Sequence, residues 1–78
     1  GVVFAANDYM TMEAPDHTVE WPTHVILCNA GVVILENATL ADTEAGDYYL
    51  VCQPVPFEGR EAAPAPTLLL PAATADVV

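Results

Sequence analysis

Short apolar runs alternate along the chain with polar stretches rich in proline, glycine and acids. Val2 to Ala6 is apolar and β-branched at its start, which predicts a buried strand ending at Asn7-Asp8. From Tyr9 to Glu20 neither a period of 2 nor one of 3.6 holds, so this stretch is a loop. Pro22 suits the first turn of a helix, where its missing N–H costs nothing. Thr18 or Glu20 just upstream would serve the helix start, the acid facing the positive end of the helix dipole. Val25-Ile26-Leu27-Cys28 continues the helix, and Asn29-Ala30-Gly31 stops it, giving one short helix around 21–30. Gly31 to Leu35 is a continuous apolar run of the kind buried on both faces of a sheet, and Glu36 ends it. Gly46-Asp47 marks a turn, Tyr48 to Val55 the next strand, and Phe57 to Pro66 an exposed loop. Thr67 to Leu70 forms a last strand, and the patternless 71–78 is expected to be a mobile tail.

The order is strand, loop, helix and then several strands, an α+β class with α/β character. One helix cannot cover both faces of the sheet these strands would make. Residues 1–70 are therefore expected to be an incomplete layer of a larger body. The chain opens on Gly1-Val2-Val3 as if already inside a strand, and is expected to be a fragment or a processed chain.

Composition narrows the function. Eleven acids stand against one base, Arg60, for a net charge of −10. With no lysine, no cationic patch is available to neutralise phosphates or dock on an anionic membrane, so neither nucleic acid nor a membrane is an expected partner. The hydrophobic fraction of 54% is too high for a disordered acidic tail. No apolar run approaches the roughly 20 residues that span a bilayer. Cys28 and Cys52 sit in apolar runs without a metal-ligand spacing; they are expected to be buried free thiols, which fits a reducing, cytoplasmic setting, and one disulfide is the alternative. Asn37-Ala38-Thr39 matches a glycosylation pattern that arises often by chance. Glu58 and Glu61 flank Arg60 in what reads as a solvated loop.

Two residues invite chemistry. Glu36 follows a run that wants burial, and its segment offers no lysine and only a distant arginine. Such a carboxylate needs a cation, hydrogen-bond donors or a proton, unless it simply sits exposed at the strand end. His24, near the helix start, is either a half-buried histidine bonded to a carbonyl or a metal ligand. Together the pair suits Zn²⁺, Mn²⁺ or Fe²⁺, with further ligands from elsewhere. His17 lies in the loop and is expected to be exposed.

The segment Thr23-His24 through Gly31-Val32-Val33-Ile34-Leu35-Glu36-Asn37 resembles the C-terminal part of the cyclase family of kynurenine formamidase and isatin hydrolase-like enzymes. His24 and Glu36 are twelve positions apart, as in that family. Gly46-Asp47-Tyr48-Tyr49-Leu50 resembles its Gly-Asp-Tyr-x-Leu turn, Gln53-Pro54-Val55 its Leu-Pro-Leu, and Val2 to Asp8 its strand ending in Asp. The resemblance implies the C-terminal part of a swivelling β/β/α domain in a metal-dependent hydrolase that cleaves an amide or lactam C–N bond with activated water. It implies His24 and Glu36 as ligands of a zinc or manganese ion, and no catalytic residue within this segment. Asn37 and Asp8 would be supporting residues near the ligands. The partners implied are a small-molecule amide or lactam, the remainder of the protein or a companion chain, and further copies in a homo-oligomer. The family's His-x-Gly-Thr-His-x-Asp-x-Pro-x-His signature is absent, and Pro64-Ala65-Pro66 stands where the family has Pro-x-Arg. The alternative is a non-catalytic acidic interaction module or an inactive remnant.

Overall fold

The computed structural model describes residues 1–14 and 20–72. His17, Thr18 and most of the expected tail, from 73 onward, lie outside the described residues. The chain divides into two compact units, Gly1–Thr43 and Glu44–Val78. The class is strand-rich α+β: four short strands and one helix among the described residues. The strands form two two-stranded sheets rather than the single sheet suggested by their order.

In the first unit, β1 (Phe4–Ala6) and β2 (Val33–Leu35) pair in parallel, with Phe4 opposite Val33 and Ala6 opposite Leu35. Parallel strands need a crossover, and the helix α1 (Pro22–Asn29) lies in it. Proline takes the first helical position as expected. The helix ends in a Schellman motif. Gly31 adopts φ 74°, its N–H donates to the Cys28 carbonyl at 3.1 Å, and the Val32 N–H reaches back to the Leu27 carbonyl at 3.0 Å. This closure turns Val32 inward, and it is the one buried hydrophobic residue among those described. The expectation of a strand buried on both faces is corrected here: Val33 is 55% exposed, while Ile34 and Leu35 are half-buried. One helix and one partner strand leave part of that apolar run without cover.

In the second unit, β3 (Tyr48–Cys52) and β4 (Thr67–Pro71) form an antiparallel ladder, with Leu50 opposite Leu69 and Cys52 opposite Thr67. β3 is shorter than the expected Tyr48 to Val55. Past Cys52 the pairing becomes one-way: the Gln53 N–H donates to the Pro66 carbonyl at 3.0 Å and the Val55 N–H to the Pro64 carbonyl at 2.9 Å. Proline has no N–H to return, so the ladder loses every second bond there. Thr67 Oγ1 donates to the Ala65 carbonyl at 2.8 Å and lies 3.5 Å from Cys52 Sγ. Both cysteines are free, but Cys28 is exposed and Cys52 half-buried, correcting the expectation that both are buried.

Candidate functional site

The site belongs to the first unit and grows out of the loop after β1. Asn7 organises that loop: its Nδ2 donates to the Thr11 carbonyl at 2.8 Å, and its Oδ1 accepts from the Tyr9 N–H at 3.4 Å. The loop is tied to the end of β2, because the Asn37 N–H donates to the Tyr9 carbonyl and the Ala38 N–H to the Asn7 carbonyl, both at 2.9 Å. Asn37 takes a left-handed backbone, φ 60°, which asparagine tolerates better than most residues. These ties carry Met12 and Glu13 over the end of β2 and against the start of α1.

Glu13 is 4% exposed, the one buried charged residue among those described. The Thr23 N–H donates to its Oε1 at 3.0 Å, and the His24 N–H donates to its Oε2 at 2.7 Å. His24 Nδ1 stands 2.6 Å from the same Oε2. Glu13 therefore caps α1 from ten residues away. The first turn itself carries no acid, and the N-cap position is Trp21, left-handed at φ 53° and without a capping side chain; the expectation for Thr18 lies outside the described residues. Burial pushes the Glu13 carboxyl up, but the hydrogen bonds from His24 and Thr23 outweigh it and bring the pKa down to about 2.

His24 is gripped on both ring edges. With Nδ1 against Glu13, Nε2 faces Glu36 Oε2 at 3.2 Å. Glu36 Oε2 also accepts from the Met12 N–H at 2.6 Å, so this carboxylate at the strand end has a hydrogen-bond donor as well as the imidazole beside it. The hydrogen bond to Glu13 raises the His24 pKa; desolvation opposes this and the Glu36 charge adds to the rise. Trp21 meets the imidazole edge to face, with centroids 5.8 Å apart and an interplanar angle of 90°.

The donor set can be tested against a metal. When Nδ1–H donates to Glu13, a neutral imidazole turns the Nε2 lone pair toward Glu36 Oε2, which is also an acceptor. That contact is favourable only with a proton or another cation between the two atoms. Two ligands of a tetrahedral zinc, each about 2.0–2.2 Å from it, stand roughly 3.3–3.6 Å apart. The observed 3.2 Å lies just short of that span, so His24 and Glu36 fit as two neighbouring ligands. They do not complete a site: among the described residues no three His, Cys, Asp or Glu side chains are grouped to hold a metal ion.

Of the residues singled out from sequence, His24 and Glu36 meet. Asp8 is exposed in the bend after β1, and Asn37 is exposed and acts through its backbone. Glu13 was missed. The signal that points to it is negative: a helix beginning Trp-Pro-Thr-His has no local Ser, Thr, Asp or Asn cap, so its first N–H groups need a distant acceptor. No helix among the described residues is long and apolar enough to cross a membrane.

Comparison with known proteins gives a partial likeness. The chain is 34% identical over 64 residues, 81% of its length, to cyclase-like protein 2 of Oryza sativa subsp. japonica. It spans 23% of that protein's length. No family model and no solved structure matches the chain.

Proposed function

We propose that this chain is the C-terminal part of a cyclase-like, metal-dependent hydrolase with a swivelling β/β/α domain, acting on an amide or lactam C–N bond. The observation that carries the reading is the approach of His24 Nε2 to Glu36 Oε2 at 3.2 Å in a pair of groups that needs a cation between them. The likeness to a cyclase-like protein over most of the chain supports the same family. His24 and Glu36 would hold a divalent zinc or manganese ion. Remaining ligands and proton-transfer groups would come from the rest of the protein, a companion chain or another copy in a homo-oligomer. A bound divalent ion supplies Lewis acidity toward a carbonyl and a water acidic enough to ionise near neutral pH. The chain's own residues do the holding: Glu36 brings charge, His24 a neutral nitrogen, and Trp21 a wall against the imidazole.

The test is hydrolysis of an aryl formamide by the intact protein before and after chelation. Activity lost with the metal and regained with zinc or manganese is expected. A fully active chelated protein overturns the reading. The absence of a three-residue metal cluster among the described residues favours a second reading, an inactive remnant or acidic interaction module. That reading predicts no bound metal in the intact protein.

A further inference from the structure

Glu13 does more than cap a helix. Its side chain is 1% exposed, and three donors converge on it. A carboxylate can serve all three because both its oxygens accept; a glutamine would present an NH₂ to at least one donor. Two of the three donors belong to one residue. The backbone N–H and the ring Nδ1 of His24 lie 2.7 and 2.6 Å from the same oxygen atom. Holding the backbone and the ring of one residue to one atom fixes both side-chain torsions of His24. The neighbouring residue holds Glu36 by one bond, since the Met12 N–H donates to Glu36 Oε2 at 2.6 Å. One dipeptide thus aligns both groups of the site, although it lies in a loop with no regular structure. The loop is itself anchored, by the Glu13 N–H to Thr11 Oγ1 at 3.1 Å and by the Asn7 bond to Thr11.

We propose that Glu13 is the positioning residue of the site: its carboxylate holds the imidazole of His24 so that Nε2, and not Nδ1, is presented beside Glu36. The role in metal binding rests on the proposed function, whereas the role in ring orientation stands on geometry alone. Supporting carboxylates behind metal-bound histidines typically contribute 10–100-fold in metal affinity.

The experiment uses the intact protein with zinc as the probe, and compares wild type with Glu13→Gln, which keeps one accepting oxygen, and Glu13→Met, which keeps none. Zinc affinity is measured by competition with a chromogenic chelator. The ligating nitrogen of His24 is read from ¹⁵N histidine NMR of the zinc-loaded protein. Wild type should bind through Nε2 with a hydrogen-bonded proton on Nδ1. Affinity should fall in the order wild type, Gln, Met, by about 10–100-fold at Met, with the Met variant ligating through both ring nitrogens. A folded Glu13→Met protein with wild-type affinity and pure Nε2 ligation overturns the proposal. If that variant fails to fold, Glu13→Gln decides, and an affinity within about twofold of wild type overturns it, a small fraction of the typical effect. If wild type binds no zinc, the proposed function falls, and the zinc-free spectra judge Glu13 separately. An Nδ1 proton signal present in wild type and lost in the variants supports its role; the same signal in every variant overturns it.

Discussion

Among the described residues, the first unit buries one hydrophobic residue, Val32, and one charged residue, Glu13, whereas the second fully buries none. Both are built from short strands, yet among the described residues the first gathers a histidine between two carboxylates, whereas the second brings together only Thr67 and Cys52. The difference lies in the connections. Between β1 and β2 the chain must cross over, and the crossover loop and helix bring residues from three parts of the sequence to the end of β2. Between β3 and β4 an antiparallel return needs no such crossover, and its Pro-rich loop carries Glu58, Arg60 and Glu61 exposed. Convergence of chemistry follows the parallel crossover in this chain.

The strongest way to break the comparison is by activity. His24→Ala and Glu36→Gln should each reduce aryl formamide hydrolysis by the intact protein by more than the roughly 10–100-fold typical of losing a supporting group. Arg60→Ala in the second unit should leave the rate within about twofold, far below even that supporting-group effect. Equal losses at all three positions would erase the distinction.

Stability should separate the units next. Val32→Ala removes two buried methyl groups at about 0.8 kcal/mol per carbon, so urea unfolding should show a loss of roughly 1–2 kcal/mol. Leu69→Ala in β4 should cost less, because Leu69 is 39% exposed before the change. Asn37 offers a backbone test at the end of β2: Asn37→Ala should cost about 1 kcal/mol at its left-handed conformation, and Asn37→Gly should be close to neutral. A neutral alanine would show that the tie to Tyr9 does not depend on this conformation.

The Glu13–His24 pair gives the first unit a pH signature in the metal-free protein. Glu13 has its folded pKa lowered from 4.5 to about 2, so its contribution is complete above 4.5 and is lost as pH falls toward 2. His24 has its folded pKa raised from 6.5, so its contribution is complete below 6.5 and is lost as pH rises through the raised value. The destabilisation caused by Glu13→Gln should therefore be greatest between pH 4.5 and 6.5 and smaller on either side. Thermal melts of both proteins across pH 2–9 check this, and a difference that does not change with pH contradicts it. The smallest effect is expected in the second unit. Pro66→Ala restores a donor for the Gln53 carbonyl, worth about 1 kcal/mol, but frees the unfolded chain by about 0.4–1 kcal/mol. Stability should hardly move while hydrogen exchange shows a protected amide at position 66.

These outcomes also bear on what the sequence makes legible. The helix was readable because its punctuation is local: Pro22 opens it and Gly31 closes it in the conformation glycine allows. His24 and Glu36 were readable as a pair because the acid ends an apolar run with no cation in its segment, a histidine with a carboxylate is a metal-ligand set, and their twelve-position spacing resembles that of the cyclase family. Glu13 was not, since nothing within its own loop marks it and its three donors are ten and eleven positions away. The shortening of β3 was missed for a similar reason. Pro64 and Pro66 look like loop residues in their own segment, and their effect on Gln53 and Val55 appears only across the ladder. The apolar character of Gly31 to Leu35 marks a strand that wants cover on both faces, and the described residues supply that cover fully only at Val32.

The most direct test of the account is the metal content of the purified intact protein and of its Glu36→Gln and His24→Ala variants, measured by mass spectrometry after exhaustive dialysis. The account predicts a tightly held divalent ion in the wild type and its loss in both variants. Full loading in both would contradict it and return His24 and Glu36 to structural roles beside Glu13.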